Sequence, residues 1–149
     1  MHCLITGGTG LIGQLFCARW LARGHSLTVL SRNPDKVRRL CGESATGVKD
    51  LQQITTPVDV VVNLAGESIA KRWNSRTKQE IRRSRLELTN ELVRWILSQP
   101  QKPRYVLSGS AVGYYGDRGG DLLKENSGPG GGFAAELCRD WEAATRPLT

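Results

Sequence analysis

Nowhere does the chain carry the run of about 18 apolar residues that a membrane-spanning helix needs, which excludes that class of protein. Cysteine is sparse and scattered. Cys3, Cys17, Cys41 and Cys138 form no Cys-x-x-Cys pair and gather no histidine, which argues against any metal site of the structural zinc type. Histidine is limited to His2 and His25, and neither has an acid or ligand partner in the sequence. No internal repeat is present. The strand-like segment Cys3-Leu4-Ile5-Thr6 begins beside Met1 and leaves no room for a signal peptide, so the expectation is a cytoplasmic protein with reduced thiols and no membrane partner.

What remains is an ordinary globular composition: 149 residues, 39% hydrophobic and 23% charged, enough for one domain with a buried core and incompatible with a disordered chain. The net charge of +7 is unevenly spread, with Lys71, Arg72, Arg76, Lys78, Arg82, Arg83 and Arg85 in one stretch. A solvated helix face is the first reading of that stretch and an anionic small molecule the second. Nucleic acid ranks last, because no interleaved aromatics or binding module accompany the charge.

Apolar runs of strand type alternate with helical patterns. Strands are expected at His2–Thr6, Ser26–Ser31, Val58–Leu64 and Tyr105–Ser108, with a short one near Ala45–Lys49. Helices are expected at Leu11–Arg23, with Leu11, Leu15, Ala18 and Ala22 on one apolar face, after Asn33-Pro34, within Trp73–Ser98, and at Phe133–Thr145. Residues 116–132 read as a loop. The alternation implies an α/β fold, a Rossmann-like doubly wound parallel sheet whose ligands bind beyond the carboxyl ends of the strands.

The sequence Thr6-Gly7-Gly8-Thr9-Gly10-Leu11-Ile12-Gly13 stands where such a ligand would lie, after the first strand and opening the first helix. The context makes it a dinucleotide-binding loop: Gly7 for the tight turn, Gly10 for close approach of a pyrophosphate, Gly13 for close helix packing. No Gly-Lys-Ser or Gly-Lys-Thr follows, which disfavours a P-loop. The second strand ends in Ser31-Arg32-Asn33, where an NAD site usually carries an acid. A guanidinium and a hydroxyl suit a 2′-phosphate, so NADP is the expected cofactor.

Within the long helix, Ile81, Leu88, Leu92 and Trp95 form an apolar stripe, and Arg85 falls in the middle of it. Its partner is left open between a cofactor, Glu80 or another nearby acid, and bulk solvent. Cys138 shares an inward helix face with Ala134, Leu137 and Trp141 and reads as core rather than as a catalytic thiol.

The motifs TGGTGLIG at 6–13, SRNP at 31–34, NLAGESIA at 63–70, KRW at 71–73, SR at 84–85, SGSAVGYYG at 108–116 and FAAELCRDWEAA at 133–144 resemble the extended short-chain dehydrogenase/reductase superfamily. Within it, the chain is most similar to the atypical sugar-nucleotide epimerase-like family (NAD-dependent epimerase/dehydratase). The resemblance implies NADP(H) bound on a Rossmann fold by Gly7, Gly8, Thr9, Gly10, Leu11, Ile12, Gly13, Ser31 and Arg32. It extends the set to the turn Asn63-Leu64-Ala65-Gly66, to Ser108, to Arg85, and to Glu80 as a weaker contact. It also implies that Ser110 hydrogen-bonds a small-molecule substrate.

In the superfamily such a serine works with a downstream Tyr-x-x-x-Lys pair. The matching stretch reads Phe133-Ala134-Ala135-Glu136-Leu137-Cys138, which supplies neither residue, and Tyr114 and Tyr115 have no lysine at that spacing. Family members run to roughly twice this length, so residues 1–149 are expected to be an NADP-binding domain that stops before the substrate domain. An exposed sheet edge and homo-oligomer formation are expected with it. An epimerase- or oxidoreductase-like protein of little activity, a non-catalytic NADP(H)-binding module and an electrostatic partner-binding protein are the three functional expectations.

Overall fold

We describe the protein from a computed structural model that covers residues 1–149. Five strands form one parallel sheet: β1 (His2–Thr6), β2 (Ser26–Leu30), β3 (Thr46–Val48), β4 (Val60–Asn63) and β5 (Tyr105–Ser108). The spatial order is β3-β2-β1-β4-β5, so the chain winds outward one way from β1 and then the other way from β4. This is the Rossmann-like arrangement that the alternating pattern implied, with the reversal between β1 and β4. The register sets Thr6 level with Leu30 and Asn63, and Asn63 level with Ser108. Gly7, Ser31, Leu64 and Gly109 therefore leave the sheet along one edge.

Four α-helices complete the chain: α1 (Leu11–Leu21), α2 (Val37–Cys41), α3 (Ser75–Ser98) and α4 (Gly132–Ala143). Short 3-10 turns lie at Pro34–Lys36, Leu51–Gln53, Val112–Tyr115 and Arg146–Leu148. No helix is long and apolar enough to cross a membrane.

The chain divides into two compact units. The first comprises residues 1–66 and 94–108 and holds the whole sheet with α1 and α2. Its core is Cys3, Ile5, Cys17, Leu27, Val29, Val37, Cys41, Ala45, Val60 and Val62. Leu4 and Val61 point to the opposite face of their strands and are also fully buried, which explains the near-continuous apolar runs of β1 and β4. The second unit comprises residues 67–93 and 109–149, with most of α3 and all of α4. Ala135, Leu137, Cys138 and Trp141 form the buried face of α4, and the Trp141 indole N–H donates to the buried Thr89 hydroxyl at 3.0 Å.

Helix α1 differs from the expected pattern. Leu11, Leu15, Ala18 and Ala22 lie on its exposed side, and the buried positions are Gly13 and Cys17, supported by the half-buried Phe16, Trp20 and Leu21. Close approach of α1 to the sheet requires small residues at the contact. The face that packs is therefore marked by glycine and cysteine, and hydrophobic periodicity points to the wrong side. Strand β5 lies at the sheet edge, with Tyr105, Leu107 and Ser108 exposed.

Candidate functional site

The glycine loop is held by contacts that leave no room for side chains at three of its positions. Gly7 has φ +71°, and a Cβ there would stand 2.6 Å from the Leu64 carbonyl carbon. A Cβ on Gly8 would lie 2.8 Å from Val29 Cγ1, and one on Gly13 only 2.2 Å from the Gly7 carbonyl oxygen. Gly10 is different: a Cβ there would meet the Gly7 carbonyl oxygen at 3.3 Å and is otherwise unopposed within 4 Å. Gly10 is also the extended N-cap of α1, and no side chain caps that helix end. The first-turn amides are thus unclaimed by any capping group, with the positive end of the helix dipole behind them. Gln14 Nε2 donates to the Thr9 carbonyl at 2.8 Å and braces the turn, while the Leu11 and Ile12 side chains stand in solvent.

A buried polar chain ties the neighbouring strand ends together. The Thr6 hydroxyl donates to Asn63 Oδ1 at 2.7 Å and accepts the Ala65 N–H at 3.2 Å. Asn63 Nδ2 donates to Ser108 Oγ at 3.2 Å. Thr6 is fully buried, and the hydroxyl fixes the Leu64-Ala65-Gly66 turn against Gly7. At the end of β2, Ser31 Oγ accepts the Asn33 N–H at 3.1 Å, which leaves its own proton to donate, and Arg32 is exposed beside it.

The remaining candidates, Glu80, Arg85 and Ser110, belong to the second unit. Arg85 is half-buried. Its Nη1 donates to the Glu67 carbonyl at 3.1 Å and the Ile81 carbonyl at 3.3 Å, and the guanidinium lies 5.2 Å from the centre of the Trp141 ring. Ser84 Oγ accepts the Glu67 N–H at 2.8 Å, so Ser84 and Arg85 together clamp one residue of the chain that follows the Leu64–Gly66 turn. Burial lowers the Arg85 guanidinium from its ordinary value, and the nearby Cys138 and Glu67 offset that only in part. Glu80 is not its partner. That carboxylate takes Arg76 Nε at 3.0 Å on the exposed side of α3.

Ser110 Oγ donates to Glu142 Oε1. Cys138 is buried, and burial pushes its thiol up, with Glu142 adding to the effect. A nucleophilic thiolate is disfavoured there, as its core position implied. Tyr114 and Tyr115 pack edge to face at 5.4 Å, both half-buried.

The basic stretch is largely neutralised within the unit. Lys71 pairs with Glu67, Arg76 with Glu80, Arg83 with Glu87 and Arg82 with Asp140, while Lys78 stands 5.4 Å over the Phe133 ring. Pairs this exposed contribute little to stability and describe a solvated charged helix face.

Five participants escaped the sequence reading. Thr6 opens the glycine motif but reads there as a strand residue. Ser84 adjoins Arg85, and Glu142 lies one helical turn beyond Cys138, positions that could have flagged both. The meeting of Cys17 and Cys41 at Gly8 has no sequence signal.

Residues 3–140 match the NAD dependent epimerase/dehydratase family. The epimerase family protein Mb2239 of Mycobacterium bovis is 39% identical, over 96% of this chain and 47% of its own length. The epimerase family protein SDR39U1 homolog, chloroplastic, of Arabidopsis thaliana is 34% identical, over 95% of this chain and 43% of its own. The chain thus spans about half the length of these curated relatives. Among solved structures, human epimerase family protein SDR39U1 (isoform 2) with NADPH superposes with a TM-score of 0.81 at 33% identity, covering 98% of this chain and 49% of that one. UDP-glucuronic acid 4-epimerase from Bacillus cereus, in complex with NAD, shares the fold at TM-score 0.77 and 17% identity, covering 99% of this chain and 52% of that one.

Proposed function

The chain belongs to the NAD-dependent epimerase/dehydratase family, and from that premise we propose that it is the NADP(H)-binding part of an epimerase- or oxidoreductase-like protein. The observation that carries the reading is the contrast within the glycine loop. Gly7 and Gly13 are closed to any side chain, whereas Gly10 opens beside an uncapped helix N-terminus. That is the cradle a pyrophosphate requires.

Gly10 and the amides of Leu11, Ile12 and Gly13 hold the pyrophosphate, and Gly7, Gly8 and Thr9 shape the turn beneath it. Ser31 and Arg32 take the 2′-phosphate. Asn63, Leu64, Ala65, Gly66 and Ser108 line the ribose and nicotinamide end. The bound cofactor supplies hydride chemistry at the nicotinamide C4. Ser110 orients a hydroxyl or carbonyl of a small-molecule substrate. The NADPH bound to the human relative supports NADP, and Arg32 is the residue we assign to that choice. A cytoplasmic location and self-association through the exposed β5 edge complete the reading.

Fluorescence titration with NADPH tests it. The unmodified chain binds saturably and Gly10→Val, still folded by circular dichroism, does not. Normal binding by Gly10→Val overturns the reading.

A second reading is favoured by α4. By the family resemblance, Phe133, Ala134, Leu137 and Cys138 fall in the stretch expected to carry the proton-relay tyrosine and lysine, which suits a non-catalytic NADP(H)-binding module. Turnover against a panel of carbonyls and sugar nucleotides separates the two.

A further inference from the structure

Beneath the glycine turn, two thiols from different helices converge on one oxygen. Cys17 in α1 and Cys41 at the end of α2 both donate to the Gly8 carbonyl, at 3.9 and 3.4 Å. Both are buried, at 0% and 2% exposure, and both are free thiols. Gly8 is seated directly on them: a Cβ at that residue would stand 3.3 Å from Cys17 Sγ. The dinucleotide turn therefore rests on a pair of oxidisable groups. That pair plays no part in the function proposed above.

We propose that Cys17 and Cys41 form a reversible disulfide when exposed to a hydroperoxide, and that the cross-link weakens the grip of the glycine turn on NADP(H). The second half rests on the NADP(H) reading; the first does not. A thiolate at Cys41 attacks one peroxide oxygen and breaks the O–O bond, giving a sulfenic acid and, after protonation, water or an alcohol. The Cys17 sulfur then attacks the Cys41 sulfur. The S–S bond forms, and the sulfenic hydroxyl leaves as water with the Cys17 proton. Two thiols lose two electrons and two protons, and the peroxide takes up both.

The roles are unequal. Hydrogen bonding from Cys17 favours the thiolate of Cys41, whereas the charge of Cys41 raises Cys17. Burial pushes both thiols up, Cys17 to about 12, so reaction proceeds through opening of the α1–α2 contact. Helix α2 has only five residues and ends at Gly42 with φ +123°, which makes it the element that opens. A disulfide carries no S–H, so cross-linking removes both donors from the Gly8 carbonyl and draws the two sulfurs toward each other. A ligand that binds the closed state slows the oxidation.

The experiment uses the intact 149-residue chain, hydrogen peroxide and NADPH. Thiol titration under denaturing conditions is expected to fall from four to two, and peptide mass mapping to show Cys17 joined to Cys41 with loss of two hydrogens. NADPH affinity is expected to fall by about tenfold or more and to return with dithiothreitol. Saturating NADPH should slow cross-linking by about tenfold. Cys41→Ser keeps a donor for Gly8 and should lose the peroxide response, while Cys138→Ser should keep it. Retention of four thiols, a different mapped pair, or unchanged affinity in the cross-linked chain overturns the proposal. A reduced chain that binds no NADPH overturns the dinucleotide reading, and the mass map then judges the cross-link by itself.

Discussion

Gly13 approaches the backbone of Gly7 so closely that a Cβ on it would lie 2.2 Å from the Gly7 carbonyl oxygen. That contact fixes where α1 starts, and so where its amides point. Gly13→Ala must displace backbone rather than a flexible side chain, and overpacking of this kind costs about 1–3 kcal/mol or more. Chemical denaturation of Gly13→Ala should show that loss. Gly10→Ala should lose clearly less stability than Gly13→Ala, because its Cβ meets a single atom, the Gly7 carbonyl oxygen, at 3.3 Å.

Thr6 and Asn63 join β1 to β4 through a buried hydroxyl that also receives the Ala65 amide. Thr6→Val keeps the shape and removes both hydrogen bonds, leaving the half-buried Ala65 amide without its acceptor. Destabilisation of about 1–3 kcal/mol is expected in urea unfolding, with weaker NADPH binding because the Leu64–Gly66 turn loosens. Equal stability of the valine variant would contradict the role given to the hydroxyl.

Arg85 has a double expectation. Arg85→Met removes the donors to the Glu67 and Ile81 carbonyls and the guanidinium that lies over the Trp141 ring. Thermal unfolding should shift down, by about 1–2 kcal/mol in stability. NADPH affinity should fall as well if the guanidinium also serves the cofactor. Loss of stability with unchanged affinity would confine Arg85 to clamping Glu67.

Much of this was legible in the sequence for identifiable reasons. Strand β4 announces itself because Val60, Val61 and Val62 are buried on both faces. The span Tyr105–Ser108 is legible with its observed bounds, and the β1-loop-α1 signal survives because glycine there is forced by contact. The packed face of α1 was not legible, since Gly13 and Cys17 carry no hydrophobic periodicity while exposed Leu11 and Leu15 imitate it. The sequence puts Arg85 on an apolar stripe but leaves its partner open between a cofactor, an acid and solvent. The structure gives it backbone carbonyls and an indole face, which no spacing rule reveals. Glu80 could not be separated from other acids until the structure placed it on Arg76.

Arg32 stands at the end of β2 with Ser31, whose hydroxyl proton remains available. A charge-assisted pair to a 2′-phosphate contributes about 1.5–3 kcal/mol, so Arg32→Ala should lose most of any preference for NADPH over NADH while its NADH affinity stays nearly constant. An unchanged ratio in competition binding would show that another residue reads the phosphate.

Parallel calorimetric titration of the unmodified chain with NADPH and with NADH tests the central claim most directly. Saturable binding of NADPH at one site per chain, tighter than NADH by roughly tenfold or more, is the predicted result. Equal affinity for the two, or no binding of either, would contradict it.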